Sequence, residues 1–273
     1  MPTQAEKGRA LRALHERPGI FVIPNPWDAG SAKLLASLGF EALATTSLGH
    51  ANSLGRRDGT LSREQILANA REIAEATDLP VSADLENCYA DDPGEASETI
   101  RLAAAAGLVG GSIEDASGDA ARPIYDFDLA VARVAAAARV ARSLEFPFTL
   151  VARAENYLHG RPDFDDTVRR LRAFADAGAD VLYAPGLRDL ETIRRLAAAV
   201  PKPVNVVMGL ADPDLTLRQL EEAGVKRVSV GGALARLAWA AVRDAAVAMR
   251  DGGSFQWVRG IVSRKELTDI LGR

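Results

Sequence analysis

The stretch Ala177-Gly178-Ala179-Asp180-Val181-Leu182-Tyr183-Ala184 carries the pattern that decides the fold. A segment with helical spacing ends at Gly178, where a left-handed C-cap is expected, and an apolar strand begins at Val181. The stretch Ala223-Gly224-Val225-Lys226-Arg227-Val228 repeats the same order of helix end, glycine and buried strand. Two more glycines take this position, Gly39 and Gly107. The chain is therefore predicted to consist of repeated β-α units.

Eight short apolar or β-branched runs alternate with eight longer segments that have helical periodicity. The predicted strands cover residues 21–24, 42–46, 81–84, 110–114, 148–153, 181–184, 204–207 and 228–230. The predicted helices cover residues 29–38, 62–76, 94–106, 128–143, 165–177, 187–199, 214–223 and 233–250. No linker rich in Pro, Ser and Gly interrupts this repeat. We therefore predict an α/β fold with a single domain over residues 1–273, a closed (β/α)8 TIM barrel.

Two further expectations concern this fold. A doubly wound open sheet is the alternative, but no G-x-G-x-x-G motif follows the first strand, which counts against its dinucleotide-binding version. Residues 254–273 are predicted to be a C-terminal helical extension, because Trp257, Val258, Ile261 and Val262 stand among charged residues as in an amphipathic helix. Such a helix favours self-association, so a homo-oligomer is expected.

The composition argues against several classes of protein. The net charge is −4, and no basic cluster with interleaved aromatic residues is present, so a nucleic-acid surface is not expected. The single cysteine, Cys88, excludes an intramolecular disulfide framework and fits a reducing compartment. The sequence has no secretory h-region and no apolar stretch of the roughly 18 residues that a membrane span requires. We expect a cytoplasmic protein that does not bind membranes.

Carboxylates follow two neighbouring predicted strands. Asp84 and Glu86 stand two positions apart at the end of one strand, Glu114 and Asp115 end the next, and Asp58 lies in an upstream loop. The C-terminal ends of barrel strands form one rim, so these acids are expected to converge. Carboxylates brought together raise one another's proton affinity, and a hard divalent cation with oxygen ligands relieves that repulsion. The pattern therefore predicts a Mg²⁺ site, with Mn²⁺ as a possible replacement.

Arg153 ends the following predicted strand and faces these acids. A guanidinium group there is suited to bidentate pairing with a substrate carboxylate or phosphonate, and a structural salt bridge to Glu114 or Glu155 is the alternative. His50 and His159 fall on predicted loops of the same face. Proton transfer and simple loop hydrogen bonding both remain open for these two histidines.

Other polar residues have a structural interpretation beside a functional one. Asp115 is expected to be a loop acid or a cap rather than a metal ligand. Cys88 has no activating histidine within a few residues, so a small semi-buried thiol is expected. The pair Gly231-Gly232 fits either a phosphate site at a helix N-terminus or close strand-helix packing. Asn205, on the seventh strand, is a candidate substrate-binding residue.

At five motifs, which occur in the correct order between residues 21 and 255, the chain resembles the isocitrate lyase/phosphoenolpyruvate mutase superfamily. These motifs are Pro24-Asn25-Pro26-Trp27-Asp28-Ala29-Gly30-Ser31-Ala32, Leu54-Gly55-Arg56-Arg57-Asp58-Gly59, Ala83-Asp84-Leu85-Glu86, Ser112-Ile113-Glu114-Asp115 and Val151-Ala152-Arg153-Ala154-Glu155-Asn156. The resemblance implies a TIM-barrel enzyme that depends on Mg²⁺ and acts on an α-oxo acid through an enolpyruvate-like intermediate. It also implies that the last helix packs on, or is swapped with, a neighbouring subunit in a dimer or tetramer.

The resemblance also implies roles for individual residues. Asp84 would ligate the metal directly, while Asp58, Glu86 and Glu114 would hold metal-bound waters. The segment Thr46-Ser47-Leu48 would cradle the substrate carboxylate with backbone N–H groups, and Arg153 would grip the substrate. Among these residues, Asp58, Glu114 and Arg153 are expected to be catalytic.

Departures from the superfamily pattern narrow the reaction. The isocitrate and methylisocitrate lyases carry a Lys-Lys-Cys-Gly-His motif in the loop after the fourth strand, where this chain has residues 115–123 without cysteine or histidine. The lysine and asparagine that phosphoenolpyruvate mutases and phosphonopyruvate hydrolases need in that loop are also missing. The glutamate often found after the sixth strand is replaced by Ala184-Pro185-Gly186. A proton carrier therefore cannot be assigned at either place.

These observations favour a Mg²⁺-dependent lyase. The expected reaction cleaves or forms a C–C bond in a small 2-oxo or 2-hydroxy di- or tricarboxylic acid, by retro-aldol, retro-Claisen or decarboxylation chemistry. Three alternatives remain open. They are a P–C bond enzyme of the phosphonopyruvate mutase or hydrolase type, a phosphate-handling barrel that uses Gly231-Gly232, and an inactive barrel with a binding or assembly role.

Overall fold

A computed structural model describes residues 2–272 of the chain. Eight short strands alternate with helices along the sequence, as predicted. The strands are β1 (Phe21–Val22), β2 (Leu43–Ala44), β3 (Val81–Ala83), β4 (Gly110–Glu114), β5 (Thr149–Arg153), β6 (Val181–Tyr183), β7 (Val204–Val207) and β8 (Arg227–Ser229). The strands lie in the order β1-β8-β7-β6-β5-β4-β3-β2, and all seven pairings between neighbours are parallel. The sheet curls into a (β/α)8 barrel. The predicted fold class is confirmed.

The helices surround this barrel. They are α1 (Gln4–Glu16), α2 (Ala29–Ser37), α3 (Ser47–Ser53), α4 (Arg63–Glu75), α5 (Pro93–Ala105), α6 (Phe127–Ser143), α7 (Phe164–Ala177), α8 (Leu190–Ala199), α9 (Leu217–Glu222), α10 (Ala233–Gly252) and α11 (Arg264–Leu271). The glycines predicted as left-handed caps all have positive φ angles, at Gly39, Gly107, Gly178 and Gly224. Each cap ends a helix so that the chain can turn directly into the next strand.

Asn25 connects the two strands at which the sheet closes. The N–H of Ala44 donates to the carbonyl of Pro24 at 3.0 Å, which brings the ends of β1 and β2 together. The Asn25 amide donates to the carbonyl of Thr45 at 3.0 Å, and its Oδ1 accepts from the N–H groups of Val230 and Gly231 at 2.8 and 2.9 Å. One buried side chain therefore joins segments that follow β1, β2 and β8.

The strand register places one row of side chains diagonally across the barrel. Glu114 pairs with Arg153, Arg153 with Tyr183, Tyr183 with Asn205, and Asn205 with Arg227. The row begins at the last residue of β4 and finishes at the first residue of β8. Because residues in register on parallel strands point to the same face, this row runs from the C-terminal mouth down into the barrel interior.

The first helix closes the opposite end of the barrel, and the sequence analysis did not predict it. Leu11 and Leu14 of α1 form a separate apolar cluster with residues at the starts of several strands, including Phe21 and Val109. The ring of His15 lies edge-on to Phe21, with 5.0 Å between ring centroids. With the N-terminal end filled in this way, the open end of the barrel is the one that carries the predicted acids.

The C-terminal extension differs from the prediction in one respect. Residues 257–272 do not form a single amphipathic helix; a 3₁₀ helix at Gln256–Gly260 is followed by α11. The α11 helix packs against α2 of the same chain, and Lys33 of α2 donates to the carbonyl of Leu271 at 2.9 Å. Packing on a neighbouring subunit stays a prediction. Within residues 2–272, no helix is both long enough and apolar enough to cross a membrane.

We expect Asn25→Ala to destabilise the fold. The substitution leaves two N–H groups and one carbonyl without their partner at a buried site, so the free energy of unfolding should fall by about 3 kcal/mol. Denaturant unfolding followed by circular dichroism measures this change. Ser37→Ala removes one exposed hydroxyl that bonds to the Leu34 carbonyl, and should stay within about 0.5 kcal/mol of the wild type. An Asn25→Ala protein as stable as the control would contradict the role given to this side chain.

Candidate active site

A cavity of about 580 Å³ opens at the C-terminal mouth of the barrel. The predicted acids Asp58, Asp84, Glu86 and Glu114 all line it, and so do Thr46, Ser47, Leu48 and Arg153. Its volume lies in the range of ordinary small-molecule sites. The structure therefore brings nearly all the residues predicted from the sequence to one place.

Asp84 follows β3 and is held by hydrogen-bond partners from three segments of the chain. Its backbone N–H donates to Thr45 Oγ1 at 3.0 Å, which fixes the end of the strand. One carboxylate oxygen accepts from the N–H and hydroxyl of Ser47 at 3.3 and 3.0 Å, and the other accepts from Arg153 Nη1 at 2.9 Å. Although Asp84 ends an apolar strand, its carboxylate has specific polar partners, as burial of a charged group requires.

Ser47 also ties the upstream loop to this strand end. Its hydroxyl lies 2.9 Å from Asp58 Oδ1 and 3.0 Å from Asp84 Oδ2. A hydroxyl has a single proton, so it can donate to only one of the two carboxylates at a time. Burial raises the pKa of Asp58, and the negative charge of Asp84 adds to that rise while the Ser47 hydrogen bond opposes it. The carboxylate that does not receive the hydroxyl proton therefore keeps an oxygen available for another donor or a cation.

Glu86 is the acid at the mouth whose buried carboxylate has an oxygen without a hydrogen-bond partner. Its backbone has a positive φ of 49°, which is uncommon for a residue other than glycine. Its Oε1 is buried and has no hydrogen-bond partner, and the nearby hydroxyl of Tyr89 is in the same condition. Burial, followed by the charges of Asp84 and Asp58, raises the pKa of Glu86 to about 7. A strained backbone that supports an unpaired buried oxygen is typical of a ligand-binding position.

Arg153 is the cation at the centre of the site. Its Nη1 lies 2.9 Å from Asp84 and 3.0 Å from Glu114, and its Nε donates to Glu155 at 2.9 Å. The guanidinium carbon stands 5.0 Å from the ring centroid of Tyr183. Burial raises the pKa of Glu114, and neighbouring carboxylates add to this rise while Arg153 opposes it. The structural ion pairs of Arg153 are therefore present; the side chain also lines the cavity, and its pairing with a substrate stays a prediction.

The donor set fits a hydrated hard cation. Within residues 2–272, no group of three or more His, Cys, Asp or Glu side chains is arranged to hold a metal ion by itself. Mg²⁺ does not require such a group, because it usually keeps several waters and binds through one or two carboxylates. The unpartnered Oε1 of Glu86, and the carboxylate oxygen of Asp58 or Asp84 that does not receive the Ser47 hydroxyl proton, supply acceptors for those waters. The residues present are therefore compatible with Mg²⁺.

Two of the predicted residues lie apart from the main cavity. Asn205 is 3% exposed and donates to Ser229 Oγ at 3.0 Å. It lines a smaller cavity of about 60 Å³ deeper in the barrel, together with Tyr183 and Arg227. His50 lies on α3 but is not among the residues that line the mouth, whereas His159 is. Of the two histidines expected on this face, His159 therefore lines the cavity and His50 does not.

Asp115 and Cys88 have structural roles. Asp115 is buried, accepts from the N–H of Glu155 at 2.7 Å and pairs with Arg170 at 3.0 Å. It anchors the loop after β5, as expected of a loop acid. Cys88 is completely buried, and burial raises the pKa of its thiol to about 12, which does not suit a nucleophile.

The sequence analysis overlooked two residues that line the cavity. Tyr183 is the last residue of β6 and lies beneath Arg153, and Arg236 approaches from the first turns of α10. Tyr183 was missed because the predicted strand ran one residue further, over residues 181–184, so that only the residues from Ala184 onward were considered at its end. Arg236 has no local signal, since its place at the mouth depends on how α10 follows β8. Gly232 precedes that helix, and a Cβ there would stand 2.3 Å from Leu48, so close packing requires glycine.

Comparisons with known proteins agree with this geometry. The profile of the phosphoenolpyruvate phosphomutase family matches residues 11–250. A solved structure of a presumed lyase/mutase from Burkholderia cenocepacia J2315 is 56% identical with a TM-score of 0.97, covering 99% of this chain and 97% of that one. An uncharacterised protein of Mycobacterium tuberculosis H37Rv is 35% identical over 242 residues, 88% of each chain. Oxaloacetate acetylhydrolase, solved in complex with its product oxalate, is 27% identical with a TM-score of 0.89, covering 100% and 96%.

We expect Arg153→Lys to weaken the site while preserving its net charge. An ammonium group cannot reach three carboxylates in fork geometry, so the free energy of unfolding should fall by about 2 kcal/mol. Oxalate affinity should fall with it. Arg194→Lys is the matched control, because its pair with Glu191 is exposed and should change stability by no more than about 0.5 kcal/mol. Denaturant unfolding and calorimetry measure both effects, and equal stability of the two variants would refute the central role of Arg153.

Proposed function

The chain belongs to the phosphoenolpyruvate phosphomutase family, and from this premise we propose that it is a Mg²⁺-dependent carbon–carbon lyase. Its substrate would be a small 2-oxo or 2-hydroxy di- or tricarboxylic acid, and cleavage would pass through an enolpyruvate-like intermediate. The observation that carries the proposal is the single guanidinium of Arg153, which lies among buried carboxylates while Glu86 keeps an unpartnered oxygen beside them.

The carboxylates at the mouth would hold the metal in two ways, by direct ligation and through bound water. We assign direct ligation to Asp84, and contact through bound water to Asp58, Glu86 and Glu114. When bound, Mg²⁺ supplies a Lewis acid that stabilises negative charge developing on a substrate oxygen. The raised pKa values of Asp58, Glu86 and Glu114 mean that protons partly neutralise this site in the absence of a cation.

Arg153 and Arg236 support a substrate with two acidic groups. Arg153 uses Nη1 and Nε for its carboxylate partners, which leaves Nη2 for a ligand. Arg236 presents a second guanidinium from α10 across the same cavity. Two cations at separate points can fix both ends of a dicarboxylate and so orient the bond to be broken. The oxaloacetate of the related acetylhydrolase is a 2-oxo diacid of this kind.

The surroundings of Arg153 also favour bond cleavage. When the bond beyond C3 breaks, its electrons move toward the 2-oxo group and create an oxyanion. A preorganised guanidinium in a partly buried site stabilises that charge more than water would. A P–C bond enzyme would use the same core, but the loop between Asp115 and Pro123 lacks the lysine and asparagine expected for that chemistry.

We expect oxalate, a mimic of the enolpyruvate-like intermediate, to bind only together with Mg²⁺. Calorimetric titration should show an affinity at least about 100-fold lower without the cation, the scale of strong coupling between two ligands. Asp84→Asn should abolish the coupling, because it removes the charge of the proposed direct ligand. Glu191→Gln, at an exposed carboxylate on α8, serves as control and should bind as the wild type does. Tight oxalate binding without Mg²⁺ would contradict the proposed function.

The activity itself is tested with a panel of diacids. Oxaloacetate, phosphonopyruvate, 2-methylisocitrate and dimethylmalate are incubated with Mg²⁺, and release of pyruvate, CO₂ or phosphate is followed. Turnover of a carbon diacid that Asp84→Asn abolishes would support the lyase, and turnover of phosphonopyruvate alone would favour the P–C enzyme. Oxalate binding with no turnover of any substrate would favour the inactive barrel.

We also propose that the chain forms a homo-oligomer through α10. Only Ala235 of this 20-residue helix is buried, while Leu237, Trp239 and Val242 are 65%, 58% and 68% exposed. Phe255, just beyond the helix, is 63% exposed. Trp239 and Val242 stand one turn apart on the same side of the helix, and large exposed apolar side chains grouped in this way are typical of protein–protein interfaces.

The double substitution Trp239→Glu and Val242→Glu is expected to give monomers, because it places charge in the proposed apolar interface. Light scattering should show at least twice the chain mass for the wild type and the chain mass for the variant. Leu217→Glu, which changes an exposed leucine at the start of α9, should leave the oligomer intact. A monomeric wild-type protein would refute the proposal.

A further inference from the structure

The cavity has a metal-compatible core, but it has no evident proton carrier in the places where related enzymes keep one. From the loop between β4 and α6, Ala116 and Gly118 line the cavity, and neither carries a titratable side chain. No lysine or cysteine belongs to the described lining of the cavity. Of the chain's three histidines, only His159 lies there. His159 is therefore the histidine that is placed to act as an acid–base group in this cavity.

His159 stands on the loop that follows β5, next to the residues that hold Arg153. Its backbone N–H donates to the carbonyl of Glu155 at 3.2 Å, which fixes its position. Its Nε2 is 4.0 Å from Glu155 Oε2, while Glu155 Oε1 accepts from Arg153 Nε at 2.9 Å. Glu155 is itself 2% exposed and anchored by its N–H to Asp115. The buried Glu155 carboxylate therefore binds the arginine that would contact substrate and lies near the imidazole.

The imidazole does not serve to hold its loop together. Within the described chain, the nearest charged partner of the His159 ring is the Glu155 oxygen at 4.0 Å, which is longer than a hydrogen bond. His15 shows the opposite arrangement, because its Nδ1 lies 2.8 Å from the Leu11 carbonyl and its ring is packed against Phe21. The His159 side chain is 34% exposed, so it can exchange protons with solvent as well as face the cavity.

The charges around His159 suit a group that both accepts and donates a proton. Burial, followed by the positive charge of Arg153, lowers the pKa of the imidazole, so it is neutral and able to accept a proton near neutral pH. The Glu155 carboxylate stabilises the imidazolium that forms, as a paired carboxylate does in other acid–base sites.

We propose that His159 is the catalytic acid–base residue that exchanges a proton with C3 of the bound substrate, oriented by Glu155. This inference rests on the proposed lyase function. When a 2-oxo diacid loses CO₂, the electron pair of the broken C3–C4 bond forms the enolate. The imidazole, which has taken up a proton from solvent, acts as an imidazolium: its N–H bond breaks, the proton forms the new C3–H bond, and neutral imidazole remains. Solvent returns the proton to the ring, so the step balances without a further reactant.

Proton exchange on pyruvate isolates this step from C–C cleavage. In D₂O with Mg²⁺, the neutral imidazole would remove a methyl proton from bound pyruvate and return a deuteron, which NMR follows as loss of the methyl signal. His159→Gln should slow this exchange at least about 100-fold, the ordinary contribution of a general acid–base group. Its oxalate affinity with Mg²⁺ should stay within about twofold of the wild type, because the metal and arginine contacts remain. His50→Gln is the matched control and should exchange normally.

Chemical rescue separates catalysis from a structural effect. In His159→Gly, added imidazole should restore a measurable part of the exchange, which it could not do if the side chain only supported the loop. Exchange by His159→Gln at the wild-type rate would overturn the inference, and so would a wild-type protein that binds oxalate with Mg²⁺ but exchanges no protons. A wild-type protein that fails to bind oxalate with Mg²⁺ would instead overturn the proposed function, so the two failures are distinguishable.

Discussion

The contact of one guanidinium with three carboxylates is the interaction on which the site depends. Arg153 lies about 3 Å from Asp84, Glu114 and Glu155, which come from three different strand ends. Without this cation, carboxylates at the end of three buried strands would repel one another and would have to take up protons or separate. The same contact orients Arg153 toward the cavity. The stability of the site and the ligand binding proposed for it therefore depend on one side chain.

The barrel supplies this arrangement through its register. Glu114 and Arg153 are direct neighbours on β4 and β5, and Tyr183 follows on β6 beneath the guanidinium. A shift of one residue in either pairing would turn one of these side chains toward the surrounding helices. Closure of the sheet at Asn25 keeps β8 and β2 in place, and α10 and α3 therefore both reach the mouth. The fold positions the site through pairing between strands rather than through loop contacts alone.

Three of the residues that sequence reasoning identified share one property: each stands at the C-terminal end of a strand, either as its last residue or directly after it. Asp84, Glu114 and Arg153 were found because an apolar strand that ends in a charged residue is conspicuous. Arg236 was not found, because its approach depends on the path of α10 and leaves no local pattern. The helix α3 was interpreted as a loop because it has only seven residues, including Gly49 and Asn52, which have poor helix propensity. The sequence thus indicated the fold and the acids, while contacts between distant elements required coordinates.

The electrostatics of the mouth place a limit on how an acidic ligand can enter. Asp58, Asp84, Glu86, Glu114 and Glu155 face only two guanidinium groups, those of Arg153 and Arg236, in the lining of the cavity. A dicarboxylate that enters such a site meets carboxylates of the same sign, unless protons or a cation have neutralised them first. Burial raises the pKa of Asp58 and of Glu86, so protons bind here readily, and a divalent cation would compete with them. The acids that would repel an anion on their own are therefore the same groups that would make binding of the proposed diacid depend on a cation.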